Sequence, residues 1–126
     1  MSNVEKEFDP KWNALRENLG KIFGKRPNLD AILFLIGIHE LGQGTKEFSK
    51  EEKQDLMHIA ICKLLSQSGF YELKGLDQDG WPHWNLIKPL PNFDLMEQEK
   101  FLRIHILDYF DEMGLENFIP NPRTLE

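Results

Sequence analysis

The sequence contains a single cysteine, Cys62, among 126 residues. One cysteine cannot form an internal disulfide, so a hydrophobic core must hold the fold, and a chain of this length can build one. The N-terminus shows no signal-peptide pattern, which together with the lone cysteine predicts a cytoplasmic protein. We therefore expect one domain over residues 1–126.

Long hydrophobic runs and an excess of positive charge are also lacking. The apolar run from Ala31 to Ile38 is far shorter than the roughly 20 residues of a membrane span, so it predicts a buried helix. Acidic residues outnumber basic ones by 21 to 15, and the net charge of −6 repels phosphate backbones and anionic lipid. The only local basic group is Lys21, Lys25 and Arg26. Nucleic-acid binding is therefore unfavoured, and no membrane contact is expected.

Four segments show helical periodicity and open with residue types that suit a helix N-terminus. The predicted helices span residues 10–23, 28–42, 49–68 and 94–113. Residues 115–126 are predicted to form an extended tail. The opening residues are Pro10, Asn28, Ser49 paired with Glu52, and Asp94 paired with Glu97.

The apolar stripes of these helices predict what is buried. Helix 2 is apolar on most sides, which leaves Asp30, Gly37 and Glu40 as a narrow polar strip and makes it the central helix. The stripe of helix 4 is expected to face the core along the whole helix. Its members are Leu95, Leu102, Ile106, Tyr109, Phe110 and Met113.

Residues 70–91 interrupt the helical pattern with two tryptophans and three prolines. Segments 70–76 and 81–88 are rich in β-forming residues and flank Asp77-Gln78-Asp79-Gly80. Aspartate and glycine are favoured in the turns of β-hairpins. The predicted fold is therefore mainly α, a four-helix compact domain with a short β-hairpin inserted between helices 3 and 4.

This hairpin is the candidate partner surface. Trp81 directly follows the turn, where packing support is thinnest, so we expect its ring to be exposed and Trp84 to anchor the hairpin. An exposed ring beside a proline forms an apolar patch that suits a protein partner or self-association. Burial of both rings in the core is the open alternative. The candidate contact residues are Asp77, Asp79, Trp81, Pro82, His83 and Trp84.

Three histidines in predicted helices, His39, His58 and His105, raise the alternative of a metal-dependent helical-bundle enzyme. Helical projection places His39 in an apolar stripe and the other two at stripe boundaries, so they need not converge. No HExxH, ExxH or CxxC motif is present. Cys62 is four residues from His58, but no orienting group or oxyanion donor is apparent, so a half-buried structural cysteine is expected. We predict no catalytic residue, metal site or cofactor.

Helix 3, followed by Ser68 to Leu73, then Asp79-Gly80 and an apolar strand, resembles the recognition helix and wing of winged-helix proteins. This resemblance covers about 40 residues and implies DNA binding as a second alternative. The chain departs from the winged-helix pattern at the positions that would contact DNA. The tip of the hairpin is acidic, and helix 3 begins with Lys50-Glu51-Glu52-Lys53 instead of a basic face. A winged-helix-like shape used for protein contacts is at least as plausible.

Two segments, Phe48 to Leu56 and Leu76 to Trp84, resemble a family of small uncharacterised bacterial proteins. That family carries no assigned activity, so the resemblance implies no functional residue. The sequence therefore favours a small cytoplasmic protein-interaction module without catalysis.

Overall fold

The computed structural model describes residues 3–44 and 46–118. It confirms the mainly α fold of four long helices, with a two-stranded hairpin between the third and the fourth. None of the helices in this part of the chain combines the length and the apolar character that crossing a membrane requires. The elements are α1 (Asn3–Phe23), α2 (Leu29–Leu41), α3 (Lys50–Ser66), β1 (Tyr71–Leu76), β2 (Pro82–Leu86), α4 (Leu95–Met113) and α5 (Leu115–Phe118).

The predicted caps are present and explain where α2, α3 and α4 begin. The Asn28 side chain accepts a hydrogen bond from the Ala31 amide at 2.9 Å. Reciprocal capping boxes join Ser49 with Glu52 and Asp94 with Glu97. Each cap satisfies amides that have no partner inside the helix, so these three boundaries are defined by local hydrogen bonds.

The first and last predicted boundaries are wrong. The first helix begins at Asn3, so Pro10 lies inside it at an exposed position and not at its start. A proline there removes one backbone hydrogen bond, a loss that the rest of a 21-residue helix can tolerate. The chain also does not become an extended tail at residue 115, because α5 forms and buries Phe118. Residues 119–126 of the predicted tail lie outside the described residues.

The main core lies where α1, α2, α3 and α4 meet, and α5 covers one end of it. A smaller cluster of Leu41, Phe48 and Leu56 lies beside it, and Trp81 packs against that cluster. The buried residues at the centre of the main core are Leu19, Ile32, Ile36, Ala60, Leu64 and Ile106.

Gly37 is a buried contact point between α2 and α3 and not part of a polar strip as predicted. A Cβ atom at this position would overlap the carbonyl oxygen of Leu56 in α3. The two helices therefore approach closely at a site where no side chain fits.

The hairpin is antiparallel and pairs Tyr71 with Leu86 and Leu73 with Trp84. A bulge between Leu73 and Gly75 shifts the register near the turn. Hydrogen bonds from the Ile87 amide to the Phe70 carbonyl and from the Asp77 amide to the Trp81 carbonyl extend the ladder at both ends. Both strands contact α3, and the turn lies across a cleft from the first half of that helix.

Candidate functional site

A cleft of about 450 Å³ separates the first half of α3 from the turn of the hairpin. We call it the acidic cleft. Five of the six predicted contact residues line it, and Trp84 does not. The lining residues are Glu52, Asp55, His58 and Ile59 from α3 and Asp77, Asp79, Trp81, Pro82 and His83 from the hairpin.

Asp77 organises the hairpin side of the cleft. Its Oδ1 accepts hydrogen bonds from the amides of Asp79 at 2.9 Å and Trp81 at 3.0 Å. Its Oδ2 lies 2.9 Å from His83 Nε2. The hydrogen bond with His83, followed by that from the Trp81 amide, holds the pKa of the Asp77 carboxyl below its usual value. Asp77 and His83 therefore shape the turn, and both carboxylate oxygens of Asp77 already have partners.

Trp81 forms an apolar wall of the cleft. Its ring meets the Phe48 ring edge to face, with centroids 6.5 Å apart. The prediction that Trp81 is the exposed ring is wrong, because it is half-buried. The turn folds back onto the loop after α2, where Gln43 Nε2 donates to the Asp79 carbonyl at 2.7 Å.

Trp84 is also half-buried, opposite Leu73 in the hairpin. Its Nε1 is buried and has no hydrogen-bond partner among residues 3–44 and 46–118. Trp81, and not Trp84, is therefore the tryptophan that packs the hairpin against a core cluster.

Two other carboxylates of the cleft differ from that of Asp77. The side chains of Asp55 and Asp79 are exposed, and neither makes a hydrogen bond or ion pair with any residue that the structure describes. Glu52 is different, because its hydrogen bond with the Ser49 amide keeps its pKa below the usual value. Among the residues that the structure describes, no lysine or arginine lines the cleft. The cleft therefore presents negative charge beside an aromatic wall.

The three helical histidines lie in separate surroundings. His39 is exposed against the Phe118 ring, with centroids 5.1 Å apart, and His58 Nε2 lies 3.5 Å from Cys62 Sγ. His105 is buried, 2.7 Å from both the Ser68 hydroxyl and the Phe101 carbonyl. The expectation of a core His39 and a boundary His105 is thus reversed. In the described part of the chain, no group of three or more His, Cys, Asp or Glu side chains is placed to hold a metal ion.

Cys62 is completely buried and not half-buried as predicted. Burial raises the pKa of its thiol to about 11. Because the thiolate is the nucleophilic form, this cysteine is suited to packing and not to covalent catalysis.

A second concave surface was missed by the sequence analysis. We call it the apolar groove. It holds about 210 Å³ between α3, the connection after the hairpin and the first half of α4. Its lining residues are Ile61, Leu65, Leu90, Pro91, Phe93, Gln98, Phe101 and Leu102.

Apolar side chains beside this groove are exposed, which corrects the predicted burial of Leu95. The exposed fractions are 81% for Leu95 and 77% for Met96, with Ile87 and Leu90 also exposed. The apolar stripe of α4 therefore extends about one helical turn beyond the part of the helix that packs in the core.

No family model, curated protein or solved structure matches this chain. Its function must therefore be argued from its own surfaces. Glu52, Asp55 and Asp79 line the acidic cleft, and their carboxylates repel the phosphates of a nucleic acid.

Proposed function

We propose that this protein is a small, non-catalytic protein-interaction module, and that its acidic cleft receives a basic segment of a partner protein. The observation that supports this proposal is the pair of unpartnered carboxylates, Asp55 and Asp79, on opposite sides of the cleft. One is supplied by α3 and the other by the hairpin turn, so a ligand between them would contact both elements.

The walls of the cleft suit a lysine or arginine side chain. Such a side chain has an apolar stem and a charged end. The stem can pack on Trp81 and Pro82 while the charge lies near Asp55 or Asp79. A cation close to an indole face adds about 0.5–1 kcal/mol at an exposed site.

The expected affinity is modest. Exposed ion pairs contribute about 0–1 kcal/mol each and are weakened by salt. Two such pairs and the packing on Trp81 predict weak, transient binding. This suits a contact that forms and breaks readily.

The test uses two labelled synthetic peptides of equal length, one rich in lysine and arginine and one with glutamate at the same positions. Fluorescence anisotropy should show that the basic peptide binds and the acidic one does not. Binding should weaken steeply as salt is raised to about 0.5 M, because the charges are exposed.

The decisive variant is Asp55→Asn combined with Asp79→Asn, which should weaken basic-peptide binding by roughly 5–30-fold. The matched control is Asp108→Asn combined with Asp111→Asn, which removes the same charge from exposed positions of α4 and should change binding less than about twofold. Equal weakening by both pairs would mean that only net charge matters. That result, or no binding of the basic peptide, would refute the proposal.

A further inference from the structure

A serine and a histidine form a hydrogen-bonded pair outside the acidic cleft. Ser68 lies just after the end of α3 and is exposed, whereas His105 lies in α4 and is only 6% exposed. Ser68 Oγ lies 2.7 Å from His105 Nε2. The acidic cleft is at the other end of α3 and is lined by neither residue, so this pair is independent of the proposed function.

The second hydrogen bond of His105 decides which ring nitrogen carries the proton. His105 Nδ1 lies 2.7 Å from the carbonyl oxygen of Phe101. A carbonyl oxygen only accepts hydrogen bonds, so Nδ1 is the donor. In the neutral ring, Nε2 is then an acceptor, and the Ser68 hydroxyl donates to it. This is the tautomer in which a histidine can take a proton from a serine.

Packing holds the imidazole and the serine in this arrangement. The Phe101 ring meets the His105 ring edge to face, with centroids 4.4 Å apart. Phe101 also packs edge to face against the buried Phe70, with centroids 5.8 Å apart. The backbone of Ser68 is fixed by its amide, which donates to the Leu65 carbonyl at 3.2 Å. The hydroxyl and its base are therefore positioned before any ligand arrives.

A positive charge is held beside the serine. Lys88 Nζ lies 4.3 Å from the centroid of the Phe70 ring. A Cβ atom on Gly69, the residue that follows Ser68, would lie 3.7 Å from the same nitrogen. An ammonium group in this place favours the negative charge that develops on a carbonyl oxygen when a nucleophile attacks it.

From this geometry we propose that Ser68 accepts the acyl group of an activated carboxylic ester, with His105 as its general base. Ser68 Oγ forms a bond to the ester carbonyl carbon while its proton passes to His105 Nε2. The bond between that carbon and the ester oxygen then breaks, and the alcohol leaves with the proton from Nε2.

The products of this step are acyl-Ser68 and one alcohol. One ester is consumed for each chain, so Ser68 is a modification site and the protein remains an interaction module. An ester of a phenol is the suitable class, because a phenolate leaves readily when one imidazole assists it.

Incubation with p-nitrophenyl acetate tests the proposal. Acyl transfer should release nitrophenol in a burst of about one equivalent and add an acetyl group to Ser68, which peptide mass mapping locates. Ser49 is the comparison in the same molecule, because it is exposed and its oxygen accepts from the Glu52 amide at 3.1 Å. General-base assistance contributes about 10²–10⁴-fold, so Ser68 should be acetylated at least about 100-fold faster than Ser49.

The variant Ser68→Ala should lose the burst and keep its binding of the basic peptide. Its matched control is Ser66→Ala, which removes a hydroxyl that donates to the Lys63 carbonyl at 2.6 Å and should leave the burst unchanged. In His105→Gln, acetylation of Ser68 should be about 100-fold slower or more, with circular dichroism verifying that the variant is folded.

The pH profile of the wild type provides a second test, which does not depend on how the His105 variant folds. The acetylation rate of Ser68 should rise as the imidazole loses its proton and then level off, whereas that of Ser49 should keep rising with hydroxide concentration. Acetylation of Ser68 no faster than that of Ser49 would overturn the proposal. A rate at Ser68 that does not level off, or that is unchanged in folded His105→Gln, would also overturn it.

Discussion

The hydroxyl of Tyr109 in α4 donates a hydrogen bond of 2.6 Å to Oε2 of Glu40 in α2. The other carboxylate oxygen of Glu40 lies 4.0 Å from Nζ of Lys63 in α3. One carboxylate thus links three helices beside the core. Burial, followed by the hydrogen bond to Glu40, raises the pKa of Tyr109 well above its usual value.

Replacing Tyr109 by phenylalanine should destabilise the fold by about 1–3 kcal/mol, because the hydrogen bond reaches a charged and largely buried group. Urea unfolding measures this loss. Tyr71→Phe is the control, since the Tyr71 hydroxyl makes no hydrogen bond with any described residue, and its change should stay within about 0.5 kcal/mol. Equal losses in the two variants would show that the Glu40 contact contributes nothing.

Gly37→Ala should destabilise the protein by about 3 kcal/mol, the upper end of the usual cost of overpacking. The new methyl group would meet the backbone of Leu56, which cannot move without displacing α3. Gly20→Ala provides the comparison, because there the nearest atoms are Arg26 Cγ at 3.1 Å and the Arg26 backbone Cα and N at 3.2 Å, all farther from the new methyl group than the Leu56 carbonyl oxygen is at position 37. The better helix propensity of alanine should keep that change within about 1 kcal/mol. Similar unfolding curves for both variants would contradict the close helix contact.

Stability should fall between about pH 9 and 11 because of Cys62. The ordinary pKa of a cysteine thiol is 9.0, which we expect in the unfolded chain, and burial raises the pKa of the Cys62 thiol to about 11 in the folded protein. The unfolded chain therefore loses this proton first, and its ionisation favours unfolding as the pH rises. The loss should reach roughly 1–3 kcal/mol. Cys62→Ala should show a shallower decline of unfolding free energy over this range, and an unchanged slope would argue against the burial effect.

Asp77→Ala should open the hairpin turn, whereas Asp77→Asn should preserve much of it. An asparagine oxygen can still accept from the amides of Asp79 and Trp81, but alanine cannot. Amide hydrogen exchange at these two positions should be at least about tenfold faster in the alanine variant than in the asparagine variant, since two hydrogen bonds are lost. If these two amides exchange at the same rate in both variants, the hydrogen bonds from Asp77 do not hold the turn. The contribution of Asp77 is then its contact with His83.

Several elements of the fold could be predicted because their causes lie within a few residues. Asn28 and Ser49 satisfy amides three positions away, and Asp77 bonds to amides two and four positions away. The start of α1 could not be predicted in this way, because Pro10 is compatible with either a first turn or an exposed position inside a helix. The clustering of Asp77, Asp79, Trp81, Pro82 and His83 followed from their place in one turn.

The sequence by itself determined the helices after the first, the hairpin and the acidic turn, since short-range hydrogen bonds and periodicity encode them. Tertiary structure alone decided that Gly37 lies against Leu56, that Trp81 packs on Phe48, and that Asp55 lines the cleft with Asp79. It also left Leu95 exposed, although the residue continues the stripe of α4. Each of these outcomes depends on where separate helices cross and end relative to one another. Side-chain pattern along one helix carries no information about how far its neighbours extend.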